Sequence, residues 1–248
     1  MFTFSTTVYD VLWEALDLPP MPARVSVVQG GSTLHDRRRV RAAALVEAER
    51  RGLGAPPALD HRLTELLELI ARHTRAVSLR ELIGHGRRAY AAADGPRGAL
   101  CTVRGEQVSI VAIPGDHLVS ELLTLLAPLP PGAGRAVTVP SGAFDAAMRA
   151  YATDGSAARD VLRTAGVRGN DIERLLTLGR QAVAFGSIGV HRGGHGDVKL
   201  VGSLGYTDTP TGRYAIVRRD DNAGRSHTTV IPADPGALRS RVHGLFPP

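Results

Sequence analysis

Apolar residues recur along this chain with two different periods, and the period switches from segment to segment. Over residues 60–73, Leu63, Leu66, Leu67 and Ile70 stand at offsets 0, 3, 4 and 7, which places them on one stripe of an α-helix. Over residues 108–113 the side chains alternate instead, with Val108, Ile110 and Ala112 facing one way and Val111 and Ile113 the other. Both sets are apolar, so this strand is expected to be covered on both faces. The layers that satisfy both segments are those of an α+β fold, a twisted and mainly antiparallel sheet with helices on both sides.

The same reading extends along the chain. Helices are expected at 7–17, 33–51 and 60–73, with a β-branched strand at 23–28. Strands follow at 76–83 and 87–93, then a hairpin of 99–103 and 108–113 turning at Gly105, then a helix over 116–126. Pro130, Pro131, Gly132 and Gly134 interrupt the pattern and read as a hinge. Beyond it come a strand at 135–139, short helices at 142–151, 157–165 and 170–178, and strands at 182–191, 198–206, 213–218 and 228–231. A helix over 235–245 ends the series.

The two sides of the hinge end alike. Residues 99–104 correspond to 213–218, and Ile113-Pro114-Gly115-Asp116 corresponds to Ile231-Pro232-Ala233-Asp234. In each copy a proline closes the strand, an aspartate is placed to cap the next helix, and that helix runs to a proline pair. Residues 1–131 and 132–248 therefore read as two half-repeats of one domain spanning 1–248, related by a quasi-twofold axis. Two copies fall short of a solenoid.

Composition narrows the function classes. The 248 residues are 43% hydrophobic, enough for a substantial core. Cys101 is the only cysteine, which excludes an intrachain disulfide framework or a cysteine zinc cluster and points to a reducing compartment. Its place in a strand suits a core filler. The first ten residues have no signal-peptide character, and the most apolar stretch, 118–129, is broken by Ser120, Glu121 and Pro128 and is too short to span a bilayer. A cytoplasmic protein without membrane insertion is expected. The net charge of +6 is carried almost wholly by arginine, since Lys199 is the only lysine. That bias fits GC-rich coding as well as it fits a nucleic-acid surface.

Candidate chemistry is sparse. Gly30-Gly31-Ser32-Thr33 precedes a helix, but it lacks the lysine of a P-loop, and Thr33 with Asp36 reads as a helix cap. Arg37, Arg38, Arg39 and Arg41 point in different directions on a helix and share it with Asp36, Glu47 and Glu49. His191 and His195 are four apart, but Gly193 and Gly194 make the segment a loop, with Asp197 the nearest carboxylate. Phe185-Gly186-Ser187-Ile188-Gly189 lacks the first glycine of a nucleophile elbow. No enzyme, metal or cofactor is expected. The rival reading is a DNA-binding regulator with a helix-turn-helix around residues 156–180, although its second helix opens with Asp171 and Glu173 and carries Leu175, Leu176 and Leu178.

Longer stretches carry a family likeness. Asp208-Thr209-Pro210-Thr211-Gly212-Arg213-Tyr214 and Thr229-Val230-Ile231-Pro232-Ala233-Asp234, with Leu238, form one signature. Asp10-Val11-Leu12-Trp13-Glu14-Ala15-Leu16 forms another, continued by Gly31-Ser32-Thr33, by Glu49-Arg50-Arg51-Gly52-Leu53 and by Gly134-Arg135-Ala136-Val137-Thr138-Val139-Pro140. In these the chain resembles the EspG family of type VII (ESX) secretion-associated proteins of actinobacteria. It departs from that pattern at Ser226-His227, where the family often places an aromatic residue.

The resemblance implies a sheet flanked by two helical bundles with quasi-twofold symmetry. It implies a cytosolic, ATP-independent chaperone that caps the hydrophobic tip of a PE–PPE-like helical pair, with no nucleic-acid role; a homodimer stays open. An apolar helical tip needs a groove of small and apolar residues with a polar rim. Phe185, Gly186, Ser187, Ile188, Gly189 and Val190 are the expected floor, because small residues let a helix approach closely.

Overall fold

The computed structural model describes residues 1–151, 154–194 and 198–247. Its first half runs β1 (Phe2–Ser5), α1 (Thr6–Ala15), α2 (Leu34–Arg50), α3 (His61–Arg72), β2 (Arg75–Ile83), β3 (Arg88–Asp94), β4 (Arg97–Arg104), β5 (Gln107–Pro114) and α4 (Leu118–Leu123). The second half runs β6 (Val137–Pro140), α5 (Ser141–Tyr151), α6 (Gly155–Thr164), α7 (Gly169–Gln181), β7 (Ala184–Arg192), β8 (Lys199–Thr209), β9 (Gly212–Asp220), β10 (Ser226–Pro232) and α8 (Pro235–His243).

All ten strands join one antiparallel sheet in the order β1-β5-β4-β3-β2-β7-β8-β9-β10-β6. The halves meet at a single ladder in the middle, where Val77 pairs with Val190 and Leu79 with Ile188. On each side the first strand of the half returns to the outer edge, beside the last. Both edges are therefore four-residue strands, β1 and β6, each followed at once by a helix.

The period-two alternation sorts side chains into two layers. On one face, Ala76, Tyr90, Ala92, Cys101, Val103, Val108 and Ile110 pack under α1, α2 and α3. At the far end of that same face, Val137, Val139, Tyr214 and Val230 pack under α5, α6 and α7. The opposite face carries Val77, Leu79, Ala91, Leu100, Ile188, Val190, Leu204 and Ala215 beneath α4 and α8. Several helices are started by side-chain caps, although Asp116, expected to cap the helix after β5, sits in a short turn and does not cap α4. Ser5 accepts from the Val8 amide at 3.2 Å, and Asp234 accepts from the Ala237 amide at 2.7 Å. Cys101 is fully buried, and burial pushes its thiol up to about 12, so it packs rather than reacts.

Two sequence expectations about the backbone need correction. Residues 23–28 are not a strand: Val25 is buried among the helices of the first bundle, its amide turns back to the Pro22 carbonyl, and Ser26 O is bonded by the Arg88 side chain instead of a neighbouring strand. The sheet edge that such a strand would need is taken by β1, for which no sequence pattern predicts a strand. The Pro130–Gly134 segment is not a free hinge either. Arg213 N donates to Pro130 O, Gly132 N donates to Arg213 O, and Tyr214 OH donates to Ala133 O. A Cβ on Gly132 would lie 2.0 Å from the Tyr214 ring. The connection is clasped against β9.

Candidate functional site

The expected floor falls on β7, and the strand's alternation divides it. Ile188 and Val190 point into the core under α4 and α8 and are fully buried. Gly186 faces the same way and lies beneath the Tyr206 ring, so a Cβ there would meet that ring at 2.7 Å. Phe185, Ser187 and Gly189 face the bundle side. Of these, Gly189 is already occupied, since Leu200 lies across it and would meet a Cβ at 2.9 Å. Phe185 and Ser187 are half-buried and open into a groove.

That groove has a volume of about 490 Å³ and lies between the second helical bundle and the sheet. Its wall is built by Phe144 and Met148 of α5 and by Leu175, Leu178 and Gly179 of α7. Its floor is Phe185 and Ser187 of β7 with Ser203, Gly205 and Thr207 of β8, and Ile216 and Val230 close its inner end. Ile83, at the end of β2, stands at the mouth and is 52% exposed. Apart from Phe185 the floor is made of small side chains, and Phe144, Met148, Leu175 and Leu178 make the wall mainly large and apolar. At the rim, Arg218 is paired with Asp145.

The helical wall was missed by sequence reasoning, which treated 142–178 as core or as a DNA-binding pair. A usable signal was present. Ile172, Leu175 and Leu176 suffice to bury α7, leaving Leu178 and, on α5, Met148 as apolar side chains that the core does not enclose.

The other candidates resolve into structural roles. Thr33 Oγ1 accepts from the Asp36 amide at 3.1 Å, as a cap does, and Gly30 N is held by Asp10 at 3.2 Å. Arg37 bonds to both Asp10 and Glu14, tying α2 to α1. In the α6–α7 pair, Arg159 meets Glu173 at 2.8 Å, Arg174 meets Asp171 at 3.5 Å, and Arg180 bonds Thr177. With α7 packed on the sheet, and with Arg159 and Arg174 turned to Glu173 and Asp171, the helix that would read DNA spends its apolar stripe on the core and two of the pair's arginines on its own carboxylates. His191 bonds Ser78 Oγ through Nε2 at 2.8 Å; burial, with Arg24 and His73 nearby, lowers its imidazole to about 4. His195 and Asp197 lie outside the described residues. Among the described residues no three His, Cys, Asp or Glu side chains are grouped to hold a metal ion. No helix among them is long and apolar enough to cross a membrane.

Comparison with known proteins agrees with this architecture. No curated protein sequence matches the chain. Among solved structures it is similar to the Mycobacterium tuberculosis type VII secretion system chaperone EspG5, determined in complex with the PE25–PPE41 dimer. The two share 15% identity with a TM-score of 0.73, over 98% of this chain and 95% of that one. The likeness at this identity is one of fold. The model of the EspG family matches residues 5–244, nearly the whole sequence, and the chain belongs to the EspG family.

Proposed function

We propose that this protein is a chaperone for secreted helical proteins, binding the apolar tip of a PE–PPE-like pair in the groove lined by Phe185 and Ser187. The observation that carries the reading is the groove's chemistry: an apolar helical wall over a floor of Phe185 and small residues, open at Ile83. Such a trough suits an amphipathic helix end that has no partner of its own. Membership of the EspG family and the fold shared with a chaperone determined in complex with the PE25–PPE41 dimer support it.

On this reading the protein works in the cytoplasm before export, uses no cofactor, and performs no covalent chemistry. Its two halves, 1–131 and 132–248, are copies of one unit, an interpretation supported by the mirrored strand order about the β2–β7 ladder. The experiment is co-expression with PE–PPE-like pairs from the same genome, followed by co-purification and size-exclusion chromatography. A stoichiometric complex with wild type that is lost in Phe185→Asp is the expected result. Failure of the folded protein to retain any such pair counts against the proposal.

A further inference from the structure

The β2–β3 ladder sets Arg80 directly opposite Arg88. Side chains opposed in an antiparallel pair share a face at close range, and like charges placed so repel. Arg88 Nη1 donates to Ser26 O at 2.7 Å, which anchors it to the loop that carries Arg24. Arg24 is itself partly buried; that burial, with the charge of Arg80, holds its guanidinium below the usual value.

Three arginines thus converge on the bundle face of the sheet. Among the described residues none of them forms an ion pair, whereas Arg37, Arg159, Arg213 and Arg218 all do. The adjacent carboxylate, Glu81, is turned to the other face, where it accepts from the Arg87 amide at 3.2 Å and is buried. A repelling, uncompensated cluster on a sheet surface costs stability, and an anion laid on it recovers that cost. Its position tells which anion. Arg80 pairs across the β2–β7 ladder with Ser187, the residue that also lines the apolar groove.

We propose that Arg24, Arg80 and Arg88 form a carboxylate-binding patch that receives acidic side chains of the client beside the apolar segment held in the groove. The client is then a helical protein whose apolar tip is flanked by aspartate or glutamate on one side. Arginine suits this because its planar guanidinium takes a carboxylate through two parallel hydrogen bonds. Such a patch also steers encounter and fixes the orientation of the bound helix. The inference rests on the groove being the client site.

The test uses Arg24→Gln/Arg80→Gln, which leaves the Arg88–Ser26 contact in place. Affinity for a co-purified PE–PPE-like pair is measured at about 50 and about 300 mM salt, where screening differs strongly. The double variant is expected to bind about tenfold or more weakly at low salt and to lose most of the salt dependence. Unchanged affinity and salt slope, with Phe185→Asp still abolishing binding, overturns the patch and leaves the groove reading intact. If wild type binds no pair, the groove reading fails, and a fluorescein-labelled hexaglutamate peptide then probes the patch alone. Peptide binding that is lost in the double variant sustains it, and equal binding or none in both proteins overturns it.

Discussion

Arg213 holds Asp208 through two parallel hydrogen bonds, Nε to Oδ1 at 2.6 Å and Nη2 to Oδ2 at 2.8 Å, with both side chains almost wholly removed from solvent. Nη2 also donates to Ala127 O at 3.0 Å, and the guanidinium lies 5.6 Å from the centre of the Tyr206 ring. The same residue's backbone receives Pro130–Gly132. Arg213 is thus where the end of the first half is fastened to the second.

Removing one member of a buried pair leaves the other charged and unpaired, which costs roughly 3–5 kcal/mol. Asp208→Asn and Arg213→Met are each expected to lower unfolding free energy by that order in urea titration. Arg213→Lys is expected to restore little, because an ammonium cannot form the two-pronged contact. A loss under about 1 kcal/mol in the single variants would show that the pair is dispensable.

Gly212 stands at φ 145°, and a Cβ there would approach Pro130 O at 2.7 Å and Gly132 N at 2.8 Å. Gly212→Ala must therefore either strain the turn or push the clasped connection away, for about 2 kcal/mol or more. Limited proteolysis distinguishes the two: cleavage appearing near residues 130–134 reports a released connection. Wild-type protease resistance together with unchanged stability would contradict the clasp.

Phe185 and Ile188 are three apart on β7 but serve different faces. Phe185→Asp places its charge in the open groove, so the protein is expected to fold and to lose client binding. Ile188→Asp buries an unpaired carboxylate in the core under α4 and α8 and is expected to prevent folding. Circular dichroism with thermal melting separates the cases. Normal client binding by a well-folded Phe185→Asp protein would remove Phe185 from the site.

Stability should fall on acidification through His191. Its folded imidazole titrates at about 4 against an ordinary 6.5, so between those values the unfolded chain binds a proton that the folded chain does not. Stability is then complete above pH 6.5 and lost progressively toward pH 4, by up to about 2 kcal/mol after allowing for partial exposure. His73, lowered by burial, acts in the same direction. Urea titrations across this range should show a shallower pH dependence in His191→Gln than in wild type. Identical slopes would mean that His191 is not responsible.

Much of the architecture was legible because it rests on periodicity. The Leu63–Ile70 stripe, the hairpin at Gly105 and the prolines that close β5 and β10 all follow from local chemistry, although of the two expected aspartate caps only Asp234 forms. What stayed hidden depends on partners distant in sequence. Phe2–Ser5 becomes a strand only because the edge of β5, more than a hundred residues away, receives it. Residues 23–28 have strand-like composition, yet no edge remains for them. On β7 the expected floor included both faces, since alternation shows that sides differ without showing which side is open. The resemblance in Asp208–Tyr214 was readable from the sequence, but its physical meaning, a clasp on the connection between halves, required the fold.

The short outer strands carry a further consequence. Each sheet edge is only four residues long and runs directly into a helix, so each offers only a short length of unpaired backbone on which another chain could add a strand. Under the proposed function this protein accumulates beside exposed, adhesive clients in a crowded cell. A sheet with such short edges is a poor template for fibre growth there.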